Sequence, residues 1–133
     1  MKNRILALAA FCAFIAVTTG ALGAHALKDH LSSESLKSFE TASRYLMYHA
    51  LYLLFLSVML NDVNRKKIKK LLYLTGIGIV LFSGSIFLLS TINITKMEVF
   101  KVLGPITPLG GVLLIANWGL LFYYALRLKM FKE

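Results

Sequence analysis

The placement of charge constrains this chain more than any other feature, because four long stretches carry no Asp, Glu, Lys or Arg. They cover 5–24, 45–60, 71–95 and 102–126, which are 20, 16, 25 and 25 residues. A helix rises 1.5 Å per residue, so a hydrocarbon core of about 30 Å takes about 20 helical residues. Three stretches meet that length. The second reaches it when extended backwards through Phe39, Thr41, Ala42 and Ser43, with Arg44 snorkelling to the interface or pairing inside a bundle. Backbone polar groups in lipid must be satisfied within the protein, and these stretches are too long and apolar for barrel strands. The expectation is an all-α, four-transmembrane-helix bundle with an amphipathic segment leading into the second helix. It forms one integral membrane domain over 1–133, with spans at about 5–24, 42–60, 71–93 and 106–126.

Composition agrees: 58% of residues are hydrophobic and 16% charged, too little polar surface to cover a water-soluble domain of 133 residues. One cysteine excludes an internal disulfide, and no Cys/His cluster suggests a zinc or iron–sulfur site, so no metal and no cofactor is expected. The basic residues are unevenly divided. Lys2 and Arg4, then Arg65, Lys66, Lys67, Lys69 and Lys70, then Arg127, Lys129 and Lys132 put ten on one side; Lys28, Lys37, Arg44, Lys96 and Lys101 put five on the other. The positive-inside rule places both termini and the middle connection in the cytoplasm. The cluster in 61–70 lies between two spans and has no interleaved aromatic platform, so anionic lipid headgroups are its expected partner and nucleic acid is not.

Lys2 and Arg4, the run from Ile5 to Val17 and the Ala24-His25-Ala26 triplet also match a secretory signal. The uncharged stretch, however, continues to Ala24, and the first span is expected to be retained.

Gly20, Gly23 and Ala24 lay small side chains along the first helix, a pattern that permits close approach of a neighbouring helix within the subunit or in a homo-oligomer. From Ser35 to His49 the apolar Leu36, Phe39, Ala42 and Leu46 recur at helical spacing while Lys37, Glu40, Ser43 and Arg44 are polar, which predicts an amphipathic helix entering the second span. Glu40 and Arg44 are four apart with the acid first, the favourable order for a same-face pair. Tyr45, Tyr48 and Tyr52 suit a membrane interface. His25 and His49 are the neutral-range titratable groups near membrane depth. With Glu40, Arg44 and Tyr45 they are expected at the outer ends of helices, as a ligand-binding or proton-responsive cluster or as interhelical hydrogen-bonding groups.

Near the fourth span, Thr107 is expected to cap a helix whose first position is Pro108, since proline lacks an amide hydrogen that would be orphaned there. The alternative is a helix started at Pro105 and broken at Pro108 and the Gly110-Gly111 pair, with freed carbonyls facing the interior. Asn117, deep in this span, requires a partner across the bundle, and Trp118 is expected to pack.

No nucleophile, base and orienting group fall together, so no catalytic residue is assigned and an enzyme is not expected. A small-solute or proton-coupled transporter would require an ionisable group at mid-membrane, for which only the His25, Glu40, Arg44 and His49 cluster is available. A structural, interaction or accessory protein of the membrane is the leading expectation, with a further membrane protein as a possible partner.

Three blocks carry a family resemblance. Residues 20–27 (Gly-Ala-Leu-Gly-Ala-His-Ala-Leu), 39–50 (Phe-Glu-Thr-Ala-Ser-Arg-Tyr-Leu-Met-Tyr-His-Ala) and 104–111 (Gly-Pro-Ile-Thr-Pro-Leu-Gly-Gly), with Trp118, resemble the YgdD-like family of small, uncharacterised multi-span membrane proteins over nearly the whole chain. The resemblance implies a bacterial inner-membrane protein with a retained first span, and carries no mechanism with it. The positions it singles out are Gly23, His25, Glu40, Arg44, Tyr45, His49, Thr107 and Pro108.

Overall fold

A computed structural model describes residues 1–61 and 63–127, the last of these by its backbone; Asp62 and, from the basic tail, Lys129 and Lys132 lie outside the described residues. Four long helices account for most of the described chain: α1 (Lys2–Ala24), α2 (Ser33–Met59), α3 (Arg65–Ser90) and α4 (Ile106–Arg127). No strand occurs among the described residues.

Local chemistry explains several helix ends. Ser32 starts α2 by accepting a 3.2 Å hydrogen bond from the Ser35 amide, and Glu34 places negative charge in the first turn, where the helix dipole favours it. Between α2 and α3, Asn61 and Asn64 bind each other's amides through their side-chain oxygens at 2.8 and 2.9 Å, and Asn64 Nδ2 donates to the Met59 carbonyl at 2.7 Å. That clip satisfies backbone groups orphaned at the end of α2 and fixes a short reversal. α3 contains one π-helical segment, Val80–Gly84, beside which the Ser85 hydroxyl donates to the Leu81 carbonyl at 2.5 Å. The α3–α4 connection holds two short helical pieces, Ile92–Thr95 and Glu98–Leu103, and the exposed ion pair Lys101–Glu98.

Three helices, Lys2–Ala24, Arg65–Ser90 and Ile106–Leu126, are long and apolar enough to cross a membrane; α2 is not among them. This departs from the four equivalent spans expected, and the reason is the polar side chains α2 carries, among them Lys37, Glu40, Arg44, His49 and its tyrosines. α2 is the central helix. It packs along α1 and against α3, burying Phe39, Ala42, Leu46, Ala50, Leu53 and Leu56. Of these polar groups His49 and Tyr52 are buried in the bundle, while Arg44, Tyr45 and Tyr48 are exposed. All four helices turn large apolar side chains outward, including Phe11, Phe14, Phe55, Val58, Val80 and Ile115. An apolar exterior of this kind fits hydrocarbon rather than water.

The amphipathic reading of the segment entering α2 holds for Lys37, Glu40 and Arg44, which are exposed, and for Phe39, Ala42 and Leu46, which are buried. Ser43, expected on the polar face, is buried against α1. At the other end of the chain α4 begins at Ile106, so Thr107 is not its cap and Pro108 is its third residue. The first four amides of a helix have no intrahelical acceptor, so proline at the third position still costs no hydrogen bond. α4 is unbroken through Gly110 and Gly111.

Candidate functional site

The interior of the bundle is organised in polar and close-contact layers. α3 and α4 run antiparallel in a register that pairs Ser85 with Thr107, the Leu81–Phe82 backbone with Gly110, Gly78 with Leu114, and Thr75 with Asn117. Each step of three or four residues on one helix matches the same step on the other, which is a ridge of one helix lying in a groove of its neighbour. Gly110 is required at its position. A Cβ there would lie 2.4 Å from the Phe82 nitrogen and 2.6 Å from the Leu81 carbonyl carbon, inside the backbone of the π-helical segment. Gly111 has ordinary clearance, its Cβ position lying 3.5 Å from the Phe82 ring.

Three hydroxyl or amide clamps join helix pairs. Asn117 Nδ2 donates to Thr75 Oγ1 at 2.7 Å, and the Thr75 hydroxyl donates to the Leu71 carbonyl at 2.8 Å. The Ser85 and Thr107 hydroxyls are 2.7 Å apart, linking α3 to α4. Between α1 and α2 the Ser43 hydroxyl donates to the Ala16 carbonyl at 2.7 Å and receives the Thr19 hydroxyl at 3.2 Å. Gly20 and Gly23 sit beside this clamp. Added Cβ atoms would stand 3.3 Å from Ser43 Oγ and from the Phe39 ring, so both glycines set the α1–α2 separation as small residues do.

His25, Glu40, Arg44, Tyr45 and His49 do not form one cluster. His25 closes α1, its backbone amide donating to the Ala21 carbonyl, and its side chain is exposed. Glu40 is exposed with no ion-pair partner among the described residues, and Arg44 turns to Thr41 Oγ1 at 3.3 Å. His49 alone is buried. The physical reason is helix phase and length. Nine residues at about 100° each put Glu40 and His49 on opposite faces of α2, about 13 Å apart along its axis. Because α2 begins at Ser33, His49 lies near the middle of the helix and not at its outer end. Gly23 packs at the level of Phe39, so the end of α1 that carries His25 is about 15 Å along α2 from His49.

Around His49 the structure forms a different site. Nδ1 lies 2.8 Å from the Tyr45 carbonyl of the preceding turn. A carbonyl only accepts, so Nδ1 carries the proton in the neutral ring and Nε2 is left as an acceptor. Nε2 is buried and has no hydrogen-bond partner among the described residues. A lateral groove of about 390 Å³ opens between α2 and α4, lined by His49, Tyr45, Tyr48, Phe82, Ile115 and Trp118 among others. The Tyr45 ring stands 5.0 Å from Phe82 and 6.4 Å from the His49 ring, stacked on the latter. Tyr52 packs 4.6 Å from Trp118, which is half exposed in the groove wall and not fully packed as expected. The Tyr52 hydroxyl is buried beside the Asn117 carboxamide without closing to a hydrogen bond, and Asn117 Oδ1 is likewise unpaired. Tyr52, expected at a membrane interface, is instead buried in the bundle, and Thr75 was not singled out from the sequence. Asn117 was, and a partner for it could have been sought among the few hydroxyls of the neighbouring spans.

At the opposite end of the bundle, Lys2, Arg4 and Arg65 line a cleft of about 500 Å³ with Asn3 and Asn61. Five basic residues fall within 65–70, and the first turn of α3 holds no acidic residue. No group of three or more His, Cys, Asp or Glu capable of holding a metal ion occurs among the described residues.

Comparison with known proteins bears on the same segments. A family model described as a protein of unknown function, DUF423, matches residues 19–111. The chain is 40% identical over 113 residues to a UPF0382 membrane protein of Staphylococcus haemolyticus, covering 84% of this chain and 85% of the relative. It is 38% identical over 123 residues to the UPF0382 membrane protein YwdK of Bacillus subtilis, covering 90% and 94%. With a UPF0382 membrane protein of Haemophilus influenzae it shares 35% identity over 130 residues, 97% of this chain and 98% of the relative. No solved structure matches the chain.

Proposed function

Since this chain belongs to the DUF423 family, the UPF0382 membrane proteins, we propose that it is a four-span structural or accessory protein of the bacterial inner membrane, with both termini in the cytoplasm. The observation that carries this reading is the use of polar side chains within the helices. Thr19 with Ser43, Thr75 with Asn117, and Ser85 with Thr107 each join two helices, leaving no polar file along the bundle among the described residues. The charged groups a transporter would use, Glu40 and Arg44, are exposed on the face of α2 away from His49. Membership in the family supports an integral membrane protein and brings no transported solute with it. The narrower likeness to YgdD-like proteins rests on the three sequence blocks.

α2 is the fourth span in this reading. Its 27 residues extend about 40 Å, enough to cross the hydrocarbon and continue into the headgroups, with Glu40 and Arg44 toward the outer interface. Retention of α1 is supported by its clamp to α2. The cleft of Lys2, Arg4 and Arg65, at a helix start without an acidic residue, suits the phosphate of an anionic lipid on the cytoplasmic side. The lipid-facing apolar surface is where a second copy or another membrane protein would pack.

The test is reconstitution in proteoliposomes under an imposed proton gradient. A structural protein gives no dissipation above that of protein-free vesicles. Flux abolished by His49→Ala, with folding and insertion intact, overturns the reading.

A further inference from the structure

α1 is held to the bundle mainly from one side. It packs along α2, where Thr19 and Ser43 clamp it, and has little direct packing with α3. Ile5, at its start, joins Leu60, Ile68 and Leu71 in one buried cluster. Beside that cluster a groove of about 420 Å³ runs between α1 and α3, lined by Leu8 on one wall and by Leu72, Tyr73, Gly76 and Ile77 on the other, with Met1 and Lys69 toward the helix starts. Gly76 keeps the groove open, since a Cβ added there would meet nothing within 4 Å. Met1 also lines the basic cleft of about 500 Å³, so the cleft and the groove adjoin.

The two adjoining spaces differ in chemistry. Lys2, Arg4 and Arg65 bring three cations to the cleft, and none of the described residues lining it is acidic. Asn61 adds donors: its side-chain oxygen already accepts from the Asn64 amide at 2.8 Å, which leaves its amide hydrogens to offer. The groove, by contrast, is walled mostly by apolar side chains. From Lys69 to Ile77 it follows α3 for about 12 Å, close to half of a hydrocarbon core of about 30 Å and so to the depth of one leaflet. A soluble anion would leave the groove empty, and a zwitterionic lipid would bring an ammonium group among three cations. We propose that cleft and groove form one site for an anionic glycerophospholipid of the cytoplasmic leaflet, its phosphate among Lys2, Arg4 and Arg65 and one acyl chain filling the gap between α1 and α3. This rests on the reading of the cleft as a lipid-phosphate site and adds the chain, which makes the lipid a bridge between the two helices.

The test is binding of radiolabelled dioleoyl phosphatidylglycerol to the full-length protein in a neutral detergent, with unlabelled competitors. Dioleoyl phosphatidylcholine, which has the same chains, is expected to compete at about tenfold or more higher concentration than unlabelled phosphatidylglycerol. Glycerophosphoglycerol, the same headgroup without chains, is expected not to compete at about a hundredfold excess, because it buries no acyl chain. Arg4→Gln with Arg65→Gln is expected to weaken binding about tenfold or more, while Lys66→Gln with Lys70→Gln, which removes the same charge outside the cleft, leaves it unchanged. Gly76→Phe, which fills the groove, is expected to weaken binding about fivefold or more. Gly119→Phe, an equal addition in open space on α4, is expected to have no effect. Equal competition by phosphatidylcholine overturns the proposal together with the phosphate reading of the cleft. A headgroup preference that Gly76→Phe does not weaken leaves that reading standing and overturns the acyl-chain site. Competition by glycerophosphoglycerol at equal concentration shows a site for a soluble phosphate ester, and an equal loss on removing Lys66 and Lys70 shows diffuse attraction; either overturns the proposal. Should Gly76→Phe fail to fold, Leu8→Trp on the facing wall is read in the same way.

Discussion

Asn117 and Thr75, 42 residues apart in sequence, meet at 2.7 Å in the middle of the bundle, both wholly removed from solvent, and tie α4 to α3. In hydrocarbon neither side chain has water as an alternative partner, so the contact fixes both the rotation and the depth of the two helices. A double-mutant cycle with Thr75→Val and Asn117→Leu, read by unfolding in mixed micelles, is expected to give a coupling of about 0.6 to 2 kcal/mol. Additive effects of the two substitutions would mean that the pair does not act as a clamp.

Gly110→Ala is expected to be the most damaging glycine substitution. Its Cβ would meet the backbone of Leu81 and Phe82, which cannot turn aside as a side chain can. Gly119→Ala, with open space around the added carbon, serves as the control. The first is expected to lower the thermal midpoint or the yield of folded protein, by the 1–3 kcal/mol typical of overpacking, while the second changes neither. A harmless Gly110→Ala would show that α3 and α4 are farther apart than described.

Substitutions on the exposed face of α2 are expected to have little effect. Glu40→Gln and Arg44→Gln should each alter stability by no more than about 0.5 kcal/mol, and their combination should be additive. Strong coupling of either with His49→Ala, measured in the same unfolding assay, would restore the shared cluster anticipated from sequence.

Much of the architecture was legible from charge alone. The uncharged stretches locate the helices, since stretches without charge are what lipid requires, and Asn117 announced the need for a partner. Helix phase decided what sequence left open. Residues 20–27 and 39–50 do pack on each other through Gly23 and Phe39, but by the time α2 reaches His49 it has travelled inward and turned half way round from Glu40. That follows from the helix starting at Ser33, capped by Ser32, nine residues before the expected span. The π-helical segment, Val80–Gly84, was not anticipated from the sequence; Gly110, from a distant part of the chain, passes close against its backbone. Thr107 illustrates the same limit. Its sequence context favours a cap, while in the structure it is the second residue of α4 and its hydroxyl meets Ser85.

α2 is proposed to cross the membrane even though it is less apolar than the other three helices, and thiol accessibility tests that most directly. In a Cys12→Ser background, which removes the single native thiol, Lys37→Cys and Lys67→Cys flank the inner part of α2 on either side. A membrane-impermeant maleimide applied to intact spheroplasts is expected to label the Lys37→Cys protein at once and the Lys67→Cys protein only after the membrane is opened. Labelling of both from the same side would show that α2 lies along or within one leaflet, and would contradict the four-span bundle.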